Sequence, residues 1–160
     1  MPLFCLVKNN HKEVIILLRI GAACYFILIF IFTCTESLNR LYRERIPHFK
    51  WNSNPDYSAF FDFTSYSFTS YAYIFQKTGH ALAFFLLALI VFVVVNRIGV
   101  TLLISFSYAL FTETAQLFFH RTGCLVDVGY DMAGAFVFMV VLFLMNAIGE
   151  FIHSEQFDVR

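Results

Sequence analysis

Four apolar runs, each about long enough to cross a lipid bilayer, constrain this chain more than any other feature. A spanning helix needs about 20 predominantly apolar residues. Val14–Cys34, Gly79–Asn96, Val100–Phe119 and Val128–Ile148 meet or approach that length. Charges inside them are few: Arg19, Glu113 and Asp131. Arg19 lies near enough to the start of its run for the guanidinium to reach back to the headgroups. The first run is too long for a removable signal peptide and lacks a small-residue cleavage site, so it reads as a signal anchor. The expected fold is all-α: an integral membrane four-helix bundle forming a single membrane domain over residues 1–160. One long aromatic-rich loop joins spans one and two.

Composition removes the competing classes. The chain is 59% hydrophobic and 14% charged, against about 45–50% and 25% in soluble domains. Such apolar content excludes a disordered chain. Eleven Lys and Arg balance eleven Asp and Glu, so the basic face that neutralises nucleic-acid phosphates is missing. The expected partner is the lipid bilayer, with no nucleic acid. Cys5, Cys24, Cys34 and Cys124 form no C-x-x-C pair, and no His stands at zinc spacing. Neither a metal nor a cofactor is expected on that basis. A Cys34–Cys124 disulfide would require both residues to face an oxidising compartment, and it is not expected.

The connections set the topology. Asn96–Gly99 is a tight turn and His120–Asp127 a short polar loop, so spans two, three and four are antiparallel neighbours. The long connection from Thr35 to Thr78 begins charged, with Pro47 and Pro55, and continues as Tyr57–Phe75, where aromatics alternate with Ser and Thr. Rings with a polar handle collect at the membrane–water interface, so an interfacial segment is the first expectation. A surface that stacks on sugar rings is the second. Counting Lys and Arg beside the spans gives a draw between Lys8, Lys12, Arg19 and Arg97 on one side and Arg40, Arg43, Arg45 and Lys50 on the other. Charge alone leaves the orientation open.

Polar residues within the spans carry the functional information. A carboxylate there costs about 2.5–3.5 kcal/mol on insertion scales, so it faces the bundle interior and commonly marks function. Glu113 and Gln116 share one face of span three, and Asp127 and Asp131 one face of span four. Gly134 and Ala135 continue that second face as a small-residue surface for close helix packing. Lys77 and His80 share a face at the start of span two. Because spans alternate in direction, the start of two, the end of three and the start of four lie on one side of the membrane. Lys77, His80, Glu113, Gln116, His120, Arg121, Asp127 and Asp131 therefore converge in one layer, whatever the orientation. That layer is open to two readings of about equal weight. It is a ligand or catalytic site, or a structural network in which Arg121 pairs with Asp127 or Glu113. No H-E-x-x-H or G-x-S-x-G motif is present.

The residues K77-T-G-H80-A-L-A-F84, then E113-T-A-Q116-L-F-F-H-R121, then D127-V-G-Y-D131-M-A-G134-A135 resemble the VanZ-like family in order and spacing. The resemblance runs over about 77–137, within a family core expected at about 77–150. At one position the family pattern carries Asn where this chain has Asp131, which adds a carboxylate to the layer. The resemblance implies a small multi-pass protein of the bacterial cell membrane, with its N-terminus in the cytoplasm and its polar layer facing outward. It also implies an association with resistance to teicoplanin and other glycopeptides. It brings no established enzymatic activity.

Three functions follow as expectations. The first is binding or occlusion of a lipid-linked cell-wall or teichoic-acid precursor, or of a partner that handles one. Glu113 and Asp131 would then accept from sugar or peptide donors, and Arg121 and Lys77 would hold phosphate or carboxylate. The second is acid–base chemistry on a lipid headgroup, with Glu113 or Asp127 as base and His80 as its partner. The third is a non-catalytic helper of a membrane complex.

Overall fold

The computed structural model describes residues 3–63 and 69–158, with the side chains of residues 3–11, 38 and 151–158 left out of the description. The described residues form five α-helices, α1 (Leu3–Cys34), α2 (Leu38–Glu44), α3 (Tyr71–Val95), α4 (Ile98–Leu117) and α5 (Leu125–Asp158), and a short 3-10 turn at Ala59–Phe61. Four of them are long and apolar enough to cross a membrane, over Lys12–Cys34, Tyr71–Val95, Ile98–Leu117 and Leu125–Glu150. No strand occurs among the described residues. The all-α, four-span expectation holds.

α3 is the central element and packs on α1, α4 and α5. Its inner face alternates with the helical repeat through Lys77, Phe84, Leu87, Ala88 and Val91, all buried. Ile29 of α1, Ala109 of α4 and Val128 of α5 meet Phe84, Leu87 and Val91 in one core, and Ala88, Ala135 and Phe138 form a second. Two hydroxyls lock α1 into this arrangement: Tyr25 donates to the Ala83 carbonyl at 3.0 Å, and Tyr108 of α4 donates to the Phe26 carbonyl. At Gly134 an added Cβ would stand 1.8 Å from the Ala81 carbonyl oxygen. Only a glycine lets α5 approach the α3 backbone so closely.

Several helix ends differ from expectation: α1 begins before Val14, α5 runs on past Ile148, and the starts of α3 and α5 come early. α3 begins at Tyr71, eight residues before the expected start at Gly79, so Tyr71–Phe75 of the aromatic segment are helical and open the span. Those aromatics are as compatible with an emerging helix as with an interfacial strip, and hydropathy alone does not separate the two. α5 begins at Leu125, which puts Asp127 in its first turn, where a carboxylate complements the helix dipole. α3 stops at Asn96, whose left-handed backbone (φ 52°) lets its N–H reach the Phe92 carbonyl at 2.7 Å.

The long connection folds back on the bundle. Residues 64–68 of its aromatic stretch lie outside the described residues. Thr35 and His48 exchange side-chain and backbone hydrogen bonds at 3.3 Å, and Glu36 N–H donates to the His48 carbonyl at 2.8 Å. Further on, Asn52 caps the end of α4: its N–H donates to the Phe118 carbonyl at 2.7 Å and its side-chain amide to that of Leu117 at 3.3 Å. Trp51 stacks on Phe118, and Phe49 packs on Phe30 and Phe119. Within α2 the Glu44 carboxyl, hydrogen-bonded first by Arg40 and also by His48, lies below the usual carboxylate range.

Candidate functional site

Three helices build the polar layer. Lys77 and His80 come from α3, Glu113 and Gln116 from α4, and Asp127 and Asp131 from α5. Lys77, Glu113, Gln116, Asp127 and Asp131 are all buried, Glu113 and Asp131 at 0% exposure. His80 is the half-buried member. Groups so placed must be paired or hydrogen-bonded, because water is not there to solvate them.

The pairing differs from the network that an Arg121-centred structure would give. Lys77 Nζ donates to Asp127 Oδ1 at 2.5 Å and sits 4.9 Å from the centre of the Tyr73 ring. His80 Nδ1 lies 2.9 Å from Asp131 Oδ1 and 3.9 Å from Glu113 Oε1. Glu113 Oε1 also accepts from the Gln116 amide at 2.6 Å, and its Oε2 accepts from the Cys124 backbone N–H at 3.0 Å. Tyr73 and Tyr130 close the layer at one edge, hydroxyl to hydroxyl at 3.3 Å. Asp131 Oδ2 is buried without a hydrogen-bond partner among the described residues.

Arg121 does not join Asp127 or Glu113. Its guanidinium reaches the Glu36 carbonyl oxygen at 3.4 Å, outside the buried layer. His120, in a left-handed conformation (φ 54°), is exposed and meets the Lys50 carbonyl at 3.2 Å, so it too lies outside. The reason is local. The chain turns tightly after Leu117, with Phe119 N–H and Arg121 N–H both returning to the Gln116 carbonyl, and this aims residues 120 and 121 away from the bundle axis.

Two contributors give no signal as isolated residues. Cys124 takes part through its backbone N–H, which any residue except proline could supply. Gly123 makes that approach possible, since an added Cβ would stand 1.9 Å from the Glu113 carbonyl oxygen. Cys34 is a buried free thiol, so no Cys34–Cys124 disulfide forms. His80, Glu113 and Asp131 offer ligand atoms within 4.8 Å of one another, as do Glu113, Cys124 and Asp127. Each set draws on different helices, so metal-ligand spacing along the chain does not reveal it.

Beside the layer runs a groove of about 800 Å³ between α1 and α3. Leu28, Phe32, Phe75, Leu82 and Leu86 form its apolar wall and are themselves exposed on the outer surface of the spans. Glu36, Gln76, His80, Gln116 and Arg121 supply its polar part. His80 and Gln116 thus belong to both the groove and the buried layer.

Comparison with known proteins agrees with this architecture. An uncharacterized membrane protein of Bacillus subtilis (strain 168), YwnJ, is 36% identical over 122 residues, covering 75% of this chain and 86% of that protein. No solved structure matches the chain. The VanZ/LLP1 family profile matches residues 17–146, which takes in α1 and the long connection as well as the motif-bearing helices. A match over that much of a four-span membrane chain makes this protein a member of the VanZ/LLP1 family.

Proposed function

We propose that this protein binds a lipid with a polar, phosphate-bearing headgroup in the groove between α1 and α3. In a bacterial envelope the ligand would be a lipid-linked cell-wall or teichoic-acid precursor, and its sequestration would alter susceptibility to teicoplanin. The observation that carries this reading is the character of the groove: an apolar wall exposed on the outer surface of the spans, ending at His80, Gln116 and Arg121. Arg121 is free of any carboxylate partner among the described contacts, and its planar fork suits phosphate oxygens. A pocket that is mostly apolar with a few convergent polar groups is the usual form of a small-molecule site.

A second reading rests on one further observation. His80 lines the groove and is held by Asp131 at 2.9 Å, the arrangement that orients an imidazole for proton transfer to a bound headgroup. Asp127, engaged by Lys77, is then not the base.

Gly79 provides the test. It lines the groove, and an added Cβ there meets nothing within 4 Å, so Gly79→Phe carries a bulky ring at the groove from an unobstructed Cβ. Wild-type protein extracted in lipid nanodiscs should retain phosphate-bearing lipids that mass spectrometry finds depleted in Gly79→Phe and in Arg121→Gln. Identical lipid profiles in all three proteins would refute the groove as a lipid site. Teicoplanin susceptibility of a null strain complemented with the same variants tests the cellular part of the proposal.

A further inference from the structure

With every group ionised, the buried layer holds two cations, Lys77 and His80, against three carboxylates, Glu113, Asp127 and Asp131. Lys77 and Asp127 neutralise one another at 2.5 Å. Glu113 and Asp131 share His80, which lies within 3.9 Å of both and supplies at most one positive charge to two carboxylates. Buried charge without compensation is expensive in low dielectric. One carboxylate oxygen, Asp131 Oδ2, is also buried with no hydrogen-bond partner among the described residues.

We propose that His80, Glu113 and Asp131 bind one divalent transition-metal ion, of the Zn2+ or Mn2+ class, where the groove meets the buried layer. A dication placed among them balances both carboxylates and gives the orphaned Asp131 carboxylate a second interaction. The spacing fits. His80 Nδ1 stands 2.9 Å from Asp131 Oδ1 and 3.9 Å from Glu113 Oε1, and ligands about 2.0–2.2 Å from a common ion are separated by distances of this size. One imidazole with two carboxylates is a borderline donor set that suits Zn2+, Mn2+ or Fe2+ better than Ca2+ or Mg2+.

The outer shell is also in place. The Gln116 amide and the Cys124 backbone N–H orient Glu113 through its two oxygens at 2.6 and 3.0 Å. His80 borders the groove, which gives the ion a way in and leaves a coordination position open on that side. Three protein ligands with an open position is the pattern of metal sites that bind an exchangeable ligand. The alternative set of Glu113, Cys124 and Asp127 is weaker, because Lys77 already occupies Asp127 Oδ1. This inference adds an ion to the lipid site proposed above, yet metal content and lipid content are read separately, so either can fail alone.

The test uses the full chain carrying an affinity tag without histidine, purified in detergent and stripped with chelator. It is incubated with Zn2+ or, in parallel, Mn2+, and freed of unbound ion by gel filtration. Elemental analysis should find about one ion per chain in the wild type. His80→Ala and Asp131→Asn should each lower retention by about tenfold or more, whereas Cys124→Ser should leave it unchanged. A wild type that retains neither ion overturns the proposal, as does loss in Cys124→Ser with retention in His80→Ala. Cobalt spectra of the wild type remove any dependence on the folding of variants. Ligand-field bands without a thiolate-to-cobalt charge-transfer band support the His80 set, and a strong charge-transfer band places the ion on Cys124 and refutes it.

Discussion

Lys77 on α3 and Asp127 in the first turn of α5 form an ion pair 2.5 Å long, with Lys77 at 6% and Asp127 at 2% exposure. The pair joins the two helices at the same level as His80, Glu113 and Asp131. It supplies the cation–carboxylate contact that Arg121 would have made had the turn after α4 pointed inward.

Breaking this pair on one side should be far worse than removing it altogether. Lys77→Met leaves Asp127 buried and uncompensated, at an expected cost of about 3–5 kcal/mol. The double variant Lys77→Met/Asp127→Leu should recover most of that loss. Membrane accumulation and the thermal midpoint in detergent measure both. A double variant no better than the single one would show that the pair is not the source of the penalty.

At Gly134 the expectation is steric. Gly134→Val drives a branched side chain into the Ala81 carbonyl, where even a Cβ would stand at 1.8 Å, so α3 and α5 must part. The cost should be at least about 1–3 kcal/mol, the range for overpacking. Gly79→Ala, on the same bundle but facing open space, should leave the thermal midpoint unchanged.

Asn52 holds the long connection against the end of α4. Asn52→Ala removes the side-chain hydrogen bond to the Leu117 carbonyl, worth about 0.5–1.5 kcal/mol. The helical bundle should persist while limited proteolysis cuts faster within residues 45–63. Unchanged cleavage would mean that the aromatic contacts of Phe49 and Trp51 suffice to hold the segment.

Orientation is best read at Thr122, which is exposed, rather than at the buried native Cys124. With the N-terminus inside, Thr122→Cys should react with a membrane-impermeant maleimide in intact cells, above the signal of the parent protein. Reaction only after permeabilisation would put the polar layer at the cytoplasmic face. A cytoplasmic precursor would then be the better candidate ligand.

The layer was legible in the sequence because direction alternates from span to span, and a carboxylate in a span has to face its neighbours. Glu113, Asp131, His80 and Lys77 could therefore be brought to one level from their positions alone. Partner choice was not legible. It depends on helix rotation and on the turn that sends His120 and Arg121 outward, and both follow from packing around Gly123 and Gln116. The start of α3 was also hidden, since Tyr71–Phe75 are amphipathic enough for either a helix or an interfacial strip. The donor set of His80, Glu113 and Asp131 comes from three helices, so no spacing in the chain could announce it.

The connection after α1 is fastened twice, by Thr35 and Glu36 to His48 and by Asn52 to the end of α4. A segment so tethered has little freedom to swing, while the wall of the groove is made of apolar side chains exposed on the outer surface of the spans. A lipid bound as proposed would enter past Leu28, Phe32 and Leu82 by sideways diffusion within one leaflet. Occupancy of such a site is governed by how many ligand molecules share each unit of membrane area, so dilution of the surrounding water leaves it untouched and dilution with other lipids does not.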